Sequence, residues 1–429
     1  MIQGQLPEKD LRDKAIKETL THCAAFLGDE FQQFMPMLLE QLVIDTQLPL
    51  EFNMQSIHEP RSDDKTSLRV KVKGFGEQEV SMNTHNLERK IGAFTILAHI
   101  SDRTGKHFAP YVEPLLPVVL EYIAEQHSRE IRTQSYTILK NILVATGESA
   151  NLEIFQKALP ITLKELETAL GRQDSKTTEI LVHGLTNCLR ALSRENATNR
   201  QFLDEKQIAE LGPVIKQSLE LVQQLKSVHE AHLAAAKSAL EIDEEDMEAM
   251  REEFAEIGHL ASETMELTGQ LVEIFKDQAA EVVKQNSLTY WAGQLQAHAT
   301  LTEGEVIDAL CYFCDVVDNT SESQQHDTLV QLTQKYFEIL DSKHGEADDI
   351  LHTVVYGLGE FGYFLPKEKY AEFLPKACEL IKGVTRRDGA FTDEHISSTE
   401  NAMGALAKLA YRHMDGVNVT EEELVGVLE

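Results

Sequence analysis

Five segments of the chain repeat one pattern around a proline, and this repetition constrains the fold more than any other feature of the sequence. In each segment an apolar residue stands five positions before the proline, and a run with apolar residues three and four apart follows it. Such a run predicts a helix, and we expect the proline in its first turn, where the missing N–H costs nothing. The prolines are Pro36, Pro117, Pro160, Pro213 and Pro375.

A second helix with its own register precedes several of these prolines. The same spacing of two apolar residues, a glycine and a further apolar residue occurs in Leu20, Cys23, Gly28 and Phe31, in Leu97, Ile100, Gly105 and Phe108, and, for the first three positions, in Leu139, Ile142 and Gly147. A helix, a glycine stop and another helix predict an antiparallel hairpin. Pro117 and Pro160 are 43 residues apart, which is the period of HEAT and armadillo repeats.

We therefore predict an all-α fold, an α-solenoid or superhelix of HEAT repeats that runs through residues 1–429 as a single array of about seven and a half repeats. The helical hairpins are expected at 8–43, 85–125, 128–171, 173–240, 250–298, 302–343, 346–384 and 394–429. Neither end has the polar outer face of a terminal repeat, so we expect the chain to be a segment of something longer.

One insertion interrupts the array between the first two hairpins. The first two of the five prolines are 81 residues apart, which exceeds one period. Within the inserted loop at 44–84, apolar residues alternate with polar ones at Leu68, Val70 and Val72, and the alternation resumes at Val80 after two glycines. This pattern predicts a β-hairpin on an otherwise helical body.

The balance of charge limits the partners that the chain can bind. It has 40 Lys and Arg residues against 71 Asp and Glu residues, a net charge of −31. A field of this sign repels the phosphates of nucleic acids and of anionic lipids, so we expect neither nucleic acid nor a membrane as a direct partner. The favoured partner is a protein segment rich in Lys and Arg.

Two motifs that resemble chemical sites have simpler structural interpretations. The sequence GLGEFG at Gly357–Gly362 matches the dinucleotide fingerprint, but helical spacing before it and Pro366 after it favour close packing between helices. Cys311 and Cys314 form a CxxC motif inside a helical pattern, without a second pair of ligands. We therefore favour buried structural thiols over a zinc or redox site.

The remaining candidates give no active site. His229 and His232 lie in a polar helix and are expected to face solvent. Trp291 is either a core residue, which we favour, or a binding hot spot, and Phe75 at the tip of the β-hairpin is a candidate exposed contact. We predict a protein that is not an enzyme and has no cofactor or metal site. Five scattered cysteines and an amino terminus without a signal peptide indicate a reducing compartment.

An acidic segment at 241–256 has two interpretations. It is either a solvated helix face or loop that keeps the protein soluble, or a docking surface that attracts a basic partner and holds it by charge-assisted contacts. Its acidic residues are Asp243, Glu244, Glu245, Asp246, Glu248, Glu252, Glu253 and Glu256. The same alternatives apply to acidic residues on second helices, which would line the inner side of a curved solenoid. These are Glu40, Glu121, Glu125, Glu165, Glu167 and Glu220.

Four segments resemble a known family. They are ISDRTGKHFAPYVEPLLPVVLEY at Ile100–Tyr122, VIDALCYFCDVVDNT at Val306–Thr320, VVYGLGEFGYFLPKEKYAEFLPKACELIKGV at Val354–Val384 and STENAMGALAKLAYRHM at Ser398–Met414. The phrases with YGLG and TENA are the most distinctive. The segments are similar to the carboxy-terminal part of the importin beta-3, or karyopherin beta-3, type of nuclear transport receptor, and the similarity covers most of residues 8–415.

The resemblance implies a HEAT superhelix that binds basic cargo proteins, passes the nuclear pore by binding the Phe-Gly repeats of nucleoporins, and releases cargo to the GTP form of the Ran GTPase. We accordingly expect a monomer found in the cytoplasm and the nucleus. The principal Ran site of the family lies in amino-terminal repeats that have no counterpart here. A general HEAT-repeat scaffold, of the kind that supports a phosphatase or chromosome-assembly complex, is the alternative function.

Overall fold

The structure is a computed structural model, and it describes residues 19, 22, 23, 26–49, 52–56, 65–72, 76–124, 128–196, 202–238, 244–345 and 347–413. Most of these residues are helical. The chain divides into two compact units, which are Met1–Leu166 with Asn187–Asn199, and Glu167–Thr186 with Arg200–Glu429. The single array over residues 1–429 stays a prediction.

The first unit consists of successive helices whose apolar faces form its core. Its helices are α1 (Met35–Thr46), α2 (Thr84–Thr104), α3 (Val112–Ile123), α4 (Arg129–Ala145), most of α5 (Glu148–Gly171) and the end of α6 (Ser175–Glu195). Helix α2 packs on α1 and α4, and α3 also packs on α4. Two 3-10 segments, Gly28–Phe34 and Gly105–Tyr111, lead into α1 and α3.

The glycine stop predicted between paired helices is present at Gly105. Its φ of +49° lies in the left-handed region that favours glycine, and the residue ends α2. Apolar residues at the repeated positions Leu97, Ile100, Leu139 and Ile142 are all buried. The predicted register of these first helices is therefore confirmed.

The second unit continues the pattern with longer helices. It contains α7 (Glu205–Ser238), α8 (Glu244–Phe275), α9 (Asp277–Ala297), α10 (Glu303–Asn319), α11 (His326–Leu340), α12 (Asp348–Phe364), α13 (Lys367–Tyr370), α14 (Leu374–Arg386) and α15 (Ile396–His413), with the end of α5 and the beginning of α6. Helices α8, α10, α12 and α15 pack side by side in this order. The remaining long helices pack on these four or on one another: α9 packs on α7, α11 packs on α12, and α14 packs on α15.

Trp291 belongs to the core of the second unit. Its side chain is 1% exposed. The indole stacks on Tyr312 at 5.9 Å between ring centroids and meets Tyr290 edge to face at 4.8 Å. The core interpretation of this tryptophan is confirmed.

Helices α7 and α8, the two longest that the structure describes, form an extension that we call the spur, residues 227–238 and 244–256. Most of the side chains described there are exposed, in contrast to the rest of the two helices. The acid-rich beginning of α8 therefore lies along the spur.

His229 corrects one expectation about the spur. Its side chain on α7 is 6% exposed because α8 covers it, so the expectation that it faces solvent is wrong. The imidazole lies 5.1 Å from the ring of Phe254, and its Nδ1 is 3.8 Å from Oε2 of Glu253. His232, three residues further along α7, is exposed as expected.

The inserted segment contains three strands, β1 (Phe52–Ser56), β2 (Lys65–Val72) and β3 (Gly76–Asn83). They form an antiparallel sheet in the order β1–β3–β2. Strands β2 and β3 are consecutive and pair with Leu68 opposite Val80, within the stretch whose alternation predicts a hairpin. Strand β1 pairs with the other edge of β3 and has no comparable signal in the sequence. Phe75 lies outside the described residues.

The position of the prolines is predicted only in part. Pro36 and Pro375 lie in the first two positions of α1 and α14. Pro117, Pro160 and Pro213 instead lie inside α3, α5 and α7, so the first-turn prediction is wrong for them. An internal proline removes a backbone hydrogen bond and costs about 3 kcal/mol. These helices continue because apolar residues on both sides of each proline are buried, and packing outweighs propensity.

Candidate protein-binding surface

Two neighbouring helices of the second unit carry an unusual excess of acidic residues. Helix α8 has ten Asp and Glu residues and one basic residue, and α10, which packs on it, has five acidic residues and no basic one. We call the side chains that these helices present the acidic surface. It comprises the exposed Glu248, Glu252, Glu253, Glu266, Glu273 and Asp318, with the partly buried Glu256, Glu263 and Asp315.

From Glu244 onward, the acidic segment predicted at 241–256 forms the first turns of α8. Glu248, Glu252 and Glu253 are exposed there. Arg251 donates to Oε2 of Glu248 at 3.1 Å and neutralises only part of this charge. Asp243 and the side chains of Glu244, Glu245 and Asp246 lie outside what the structure describes. The segment is thus a helix face, and its role as a docking surface stays a prediction.

The acidic residues predicted on second helices are exposed, buried or outside the described residues. Glu40 and Glu121 are exposed in the first unit, and Glu167 and Glu220 are exposed in the second. Glu125 lies outside the described residues.

Glu165 is not available to a partner, which corrects its assignment to the binding set. The side chain is buried in the first unit, and its Oε2 accepts from Nη2 of Arg132 at 3.4 Å. Nε of the same guanidinium donates to the carbonyl oxygen of Ile123 at 3.0 Å. A buried carboxylate needs such a paired charge, and the sequence spacing did not show that Arg132 would supply it.

Asp308 is a residue of α10 whose side chain faces α8, and it is 8% exposed. Its Oδ2 accepts a hydrogen bond of 2.6 Å from the hydroxyl of Ser262 on α8. Burial raises the pKa of Asp308 to about 6, against the opposing effects of Ser262 and Lys226. This carboxyl therefore changes charge close to neutral pH.

Asp315, two turns further along α10, lies in a less compensated environment. Its carboxylate packs against the backbone of Gly269, where any Cβ would overlap Oδ2. Burial raises the pKa of Asp315 to about 7, and the negative charges of Glu273 and Asp318 add to the effect. Near pH 7 the group is present in both protonation states.

Glu305, at the start of α10, shows how the same helix holds a compensated carboxylate. Thr302 and Glu305 form a capping box, with the backbone N–H of Thr302 donating to Oε2 at 2.8 Å. Lys226 from α7 donates to Oε1. Burial disfavours the charge of Glu305, but the bonds from Lys226 and Thr302 hold its pKa below the ordinary value.

Acidic and basic groups alternate where α6 meets α8 in the second unit. His183 Nδ1 lies 2.9 Å from Oε1 of Glu263, and Lys176 forms an ion pair with Glu256. Burial raises the pKa of Glu179 beside them, although His259 opposes the shift. Part of the acidic surface is therefore already neutralised at this end.

At the other end, Lys408 of α15 is a cation that lies close to α12 and α10. Lys408 forms an ion pair with the buried Glu360, and its Nζ lies 5.0 Å from the ring centroid of Tyr356. Burial lowers the pKa of Lys408. The hydroxyl of Tyr356 donates to Oδ2 of Asp318 at 3.4 Å, which joins this group to α10.

A groove of about 400 Å³ lies between α11 and α14 of the second unit. Its lining combines apolar residues with two cations and one anion: Phe337, Leu340, Leu351, Leu380, Val384, Lys376, Arg387, Asp341, Gly345 and Gly383. Nζ of Lys376 lies 4.7 Å from the ring centroid of Phe337 and 3.0 Å from Oδ2 of Asp341.

The two motifs given structural interpretations are both packed inside helices. Gly357, Gly359 and Gly362 of the GLGEFG motif lie in α12 and are buried. A Cβ on Gly359 would lie 2.6 Å from Cα of Ala405 on α15, so the motif permits close helix packing, as predicted. Cys314 is buried with its Sγ 3.3 Å from the hydroxyl of Tyr336.

Cys311 is only partly buried, yet it resembles Cys314 in its chemistry. Burial raises the pKa of both thiols, that of Cys311 to about 12. Neither is activated as a nucleophile.

Sequence reasoning did not identify the carboxylates between α8 and α10. The available signal was their spacing, because Asp308 and Asp315, like Glu266 and Glu273, are seven residues apart and share a helix face. The pairing of the two helices, which brings these faces together, is not visible in a local pattern.

The described residues contain neither a cluster of metal ligands nor a helix of membrane-spanning character. No group of three or more His, Cys, Asp or Glu side chains within this part of the chain is arranged to hold a metal ion. No helix in the same part is long and apolar enough to span a bilayer.

Comparison with known proteins identifies the fold. No family model matches the chain. Among solved structures, karyopherin Kap121p bound to the SUMO protease Ulp1p matches with a TM-score of 0.68 and 17% identity over 97% of this chain and 36% of that one. Kap121p bound to RanGTP matches with a TM-score of 0.67 and 18% identity, over 98% of this chain and 36% of that one. Kap121p bound to Nup53p matches with a TM-score of 0.67 and 15% identity, over 97% of this chain and 36% of that one.

The chain thus spans well under half of the Kap121p chains that it matches. At identities below 20%, the likeness is evidence for fold and not for shared partners. The chain has a karyopherin-like fold.

Proposed function

We propose that the chain acts as part of a nuclear transport receptor of the importin beta-3 type, which binds Lys- and Arg-rich segments of cargo proteins on its acidic surface. The karyopherin-like fold supports this role. The observation that carries it is the charge of α8 and α10, where fifteen acidic residues stand against one basic residue on two helices in contact.

The physical argument rests on the excess of negative over positive charge on these two helices. Neighbouring carboxylates repel one another, and a partner that brings ammonium or guanidinium groups relieves the repulsion and gains charge-assisted hydrogen bonds. The exposed Glu248, Glu252 and Glu253 lie within two turns of α8, and the exposed Asp318 adds negative charge on α10. The long-range field also raises the rate of encounter.

The solved Kap121p structures support the proposal that the partners of this chain are proteins. Kap121p has been solved bound to Ste12p, to Pho4p and to Nup53p. Another Kap121p structure carries three acidic residues replaced by lysine. Acidic residues of that protein were thus targets of charge reversal.

The other expected partners extend the same proposal. We place the contact with nucleoporin Phe-Gly repeats in the groove between α11 and α14, because its apolar lining and volume of about 400 Å³ admit a phenylalanine side chain. Binding to the Ran GTPase, a monomeric state, and residence in cytoplasm and nucleus belong to the proposal as well. The role requires no catalysis.

The test is the binding of a 20-residue unstructured peptide of alternating Lys-Arg and Gly-Ser pairs, measured by fluorescence anisotropy. We expect its affinity to fall by about tenfold or more between 50 and 300 mM NaCl, since exposed charges are screened within a Debye length. Combined Glu248→Gln, Glu252→Gln and Glu253→Gln substitutions should weaken binding at low salt.

A matched control removes three exposed carboxylates from the α14 region and α15 through Glu372→Gln, Glu379→Gln and Glu400→Gln. These substitutions change net charge equally and should leave affinity within about twofold of wild type. Absence of binding at 50 mM NaCl would contradict the proposal. A pull-down that recovers phosphatase or chromosome-assembly subunits, and neither Ran nor nucleoporins, would instead favour the scaffold function.

A further inference from the structure

Asp315 is a partly buried acidic residue whose surroundings do not compensate its charge. Its carboxylate rests on α8 at Gly269, a position with no side chain to donate a hydrogen bond. Within the described part of the chain, no donor or cation contacts its oxygens. Asp308, by contrast, accepts from Ser262, and Glu305 accepts from Lys226 and Thr302.

The groups that influence Asp315 come from several helices and are mostly negative or neutral. They are Glu273 on α8, Cys311, Cys314 and Asp318 on α10, Tyr336 on α11, and Tyr356 on α12. Two cations of this region are engaged elsewhere: Lys408 on α15 pairs with Glu360, and Lys276, which follows α8, donates to Oδ1 of Asn319. The fold therefore supplies no counter-charge to Asp315.

The site remains open toward solvent on one side. Asp315 is partly exposed, and Glu273 and Asp318 beside it are exposed. The negative charges of Glu273 and Asp318, which raise the pKa of Asp315, would also attract a long basic side chain to this position. Such a contact is the counter-charge that the chain itself lacks.

We propose that Asp315 receives a Lys or Arg side chain of the bound segment and releases a proton when it does so, which makes docking on the acidic surface stronger as pH rises from 6 to 8. This inference rests on the proposed function. The proton leaves the carboxyl oxygen for solvent buffer, and the resulting carboxylate pairs with the incoming ammonium or guanidinium group.

The size of the effect follows from linkage. Only the ionised form of Asp315 makes the new ion pair, so the apparent affinity is scaled by the ionised fraction of the free chain. With the pKa of Asp315 raised to about 7, that fraction increases about tenfold between pH 6 and pH 8. The same arithmetic gives the release of between about half and one proton per peptide at pH 6.5.

The experiment is isothermal titration calorimetry of the full chain with the Lys-Arg/Gly-Ser peptide at pH 6.0, 6.5 and 8.0. At pH 6.5 it is run in two buffers of different ionisation enthalpy, which gives the number of protons released. Histidines also change charge between pH 6 and pH 8. Proton release by wild type is therefore compared with proton release by Asp315→Asn, which keeps every histidine. Asp315→Asn should bind like wild type at pH 6.0, bind about tenfold more weakly at pH 8.0, and release few or no protons.

Asp308→Asn is the matched control. It removes a carboxyl of the same helix face that is buried and already bonded to Ser262, so it should retain most of the proton release of wild type. Circular dichroism verifies that each variant is folded, and Asp315→Ser replaces Asp315→Asn if the latter is not.

The outcomes separate the two proposals. Equal proton release by wild type and Asp315→Asn, with binding retained, would overturn the inference and leave the proposed function standing. Loss of the pH dependence in Asp308→Asn but not in Asp315→Asn would also overturn it. If wild type fails to bind the peptide at every pH in low salt, both proposals fall.

Discussion

At the scale of single residues, the structure separates carboxylates that the sequence presents as equivalent. Glu165 is buried against Arg132, Glu305 is held by Lys226, and Asp315 has neither arrangement. All three are acidic residues on helices, and charge counting cannot rank them. What distinguishes them is the residue that a neighbouring helix places opposite, which depends on packing between segments distant in sequence.

The burial of Asp315 also affects stability. Its pKa is near 4 in an unfolded chain and about 7 in the folded one, so between these pH values the folded chain binds a proton that the unfolded chain lacks. This contribution makes the folded state less stable as pH rises from about 4 to 7. We expect Asp315→Asn to raise the free energy of unfolding by about 2 to 4 kcal/mol at pH 8 and to give no such gain at pH 4.

Urea unfolding followed by circular dichroism at both pH values checks this. The exposed Glu379 serves as the comparison, because Glu379→Gln removes the same charge without a buried carboxyl and should shift the midpoint little at either pH. A gain for Asp315→Asn that is equal at pH 4 and pH 8 would contradict the explanation.

At the scale of helices, the close packing predicted for the GLGEFG motif occurs between α12 and α15. Gly359 allows the two backbones to approach, since a Cβ there would lie 2.6 Å from Cα of Ala405. We expect Gly359→Ala to destabilise the protein by about 1 to 3 kcal/mol, because overpacking at a backbone contact cannot be relieved by a side-chain rotation.

Gly404, on the partner helix α15, provides the control. A Cβ there meets no atom within 4 Å and the residue is exposed, so Gly404→Ala should be neutral or stabilise by up to about 1 kcal/mol through helix propensity. Thermal unfolding of the two variants distinguishes the cases. Equal effects would show that propensity and not packing determines the result.

Much of the helical architecture could be read from local pattern, and the exceptions have physical causes. Glycine and apolar spacing located the end of α2 at Gly105, because that signal depends on a few adjacent residues. The continuation of helices through Pro117, Pro160 and Pro213 was missed because burial by other segments offsets a local penalty. The acidic excess was visible, whereas the pairing of α8 with α10 was not.

At the scale of the whole molecule, a net charge of −31 stores repulsion that folding must overcome. Salt screens this repulsion, and the compact state gains more from screening than the expanded unfolded chain does. We expect the melting temperature to rise by several degrees, about 2 to 5 °C, between 20 and 300 mM NaCl. Differential scanning fluorimetry checks this, and a melting temperature that falls with NaCl would contradict it.

The spur has a kinetic consequence of its own. Residues 227–238 of α7 amount to twelve residues, about 18 Å of helix at 1.5 Å per residue. That length exceeds the distance over which ions damp an electric field in physiological saline, about 8 Å. Carboxylates spread along such a length therefore act on an approaching cationic chain over a wider region than a single cluster would, and the spur enlarges the target that a diffusing polypeptide must hit.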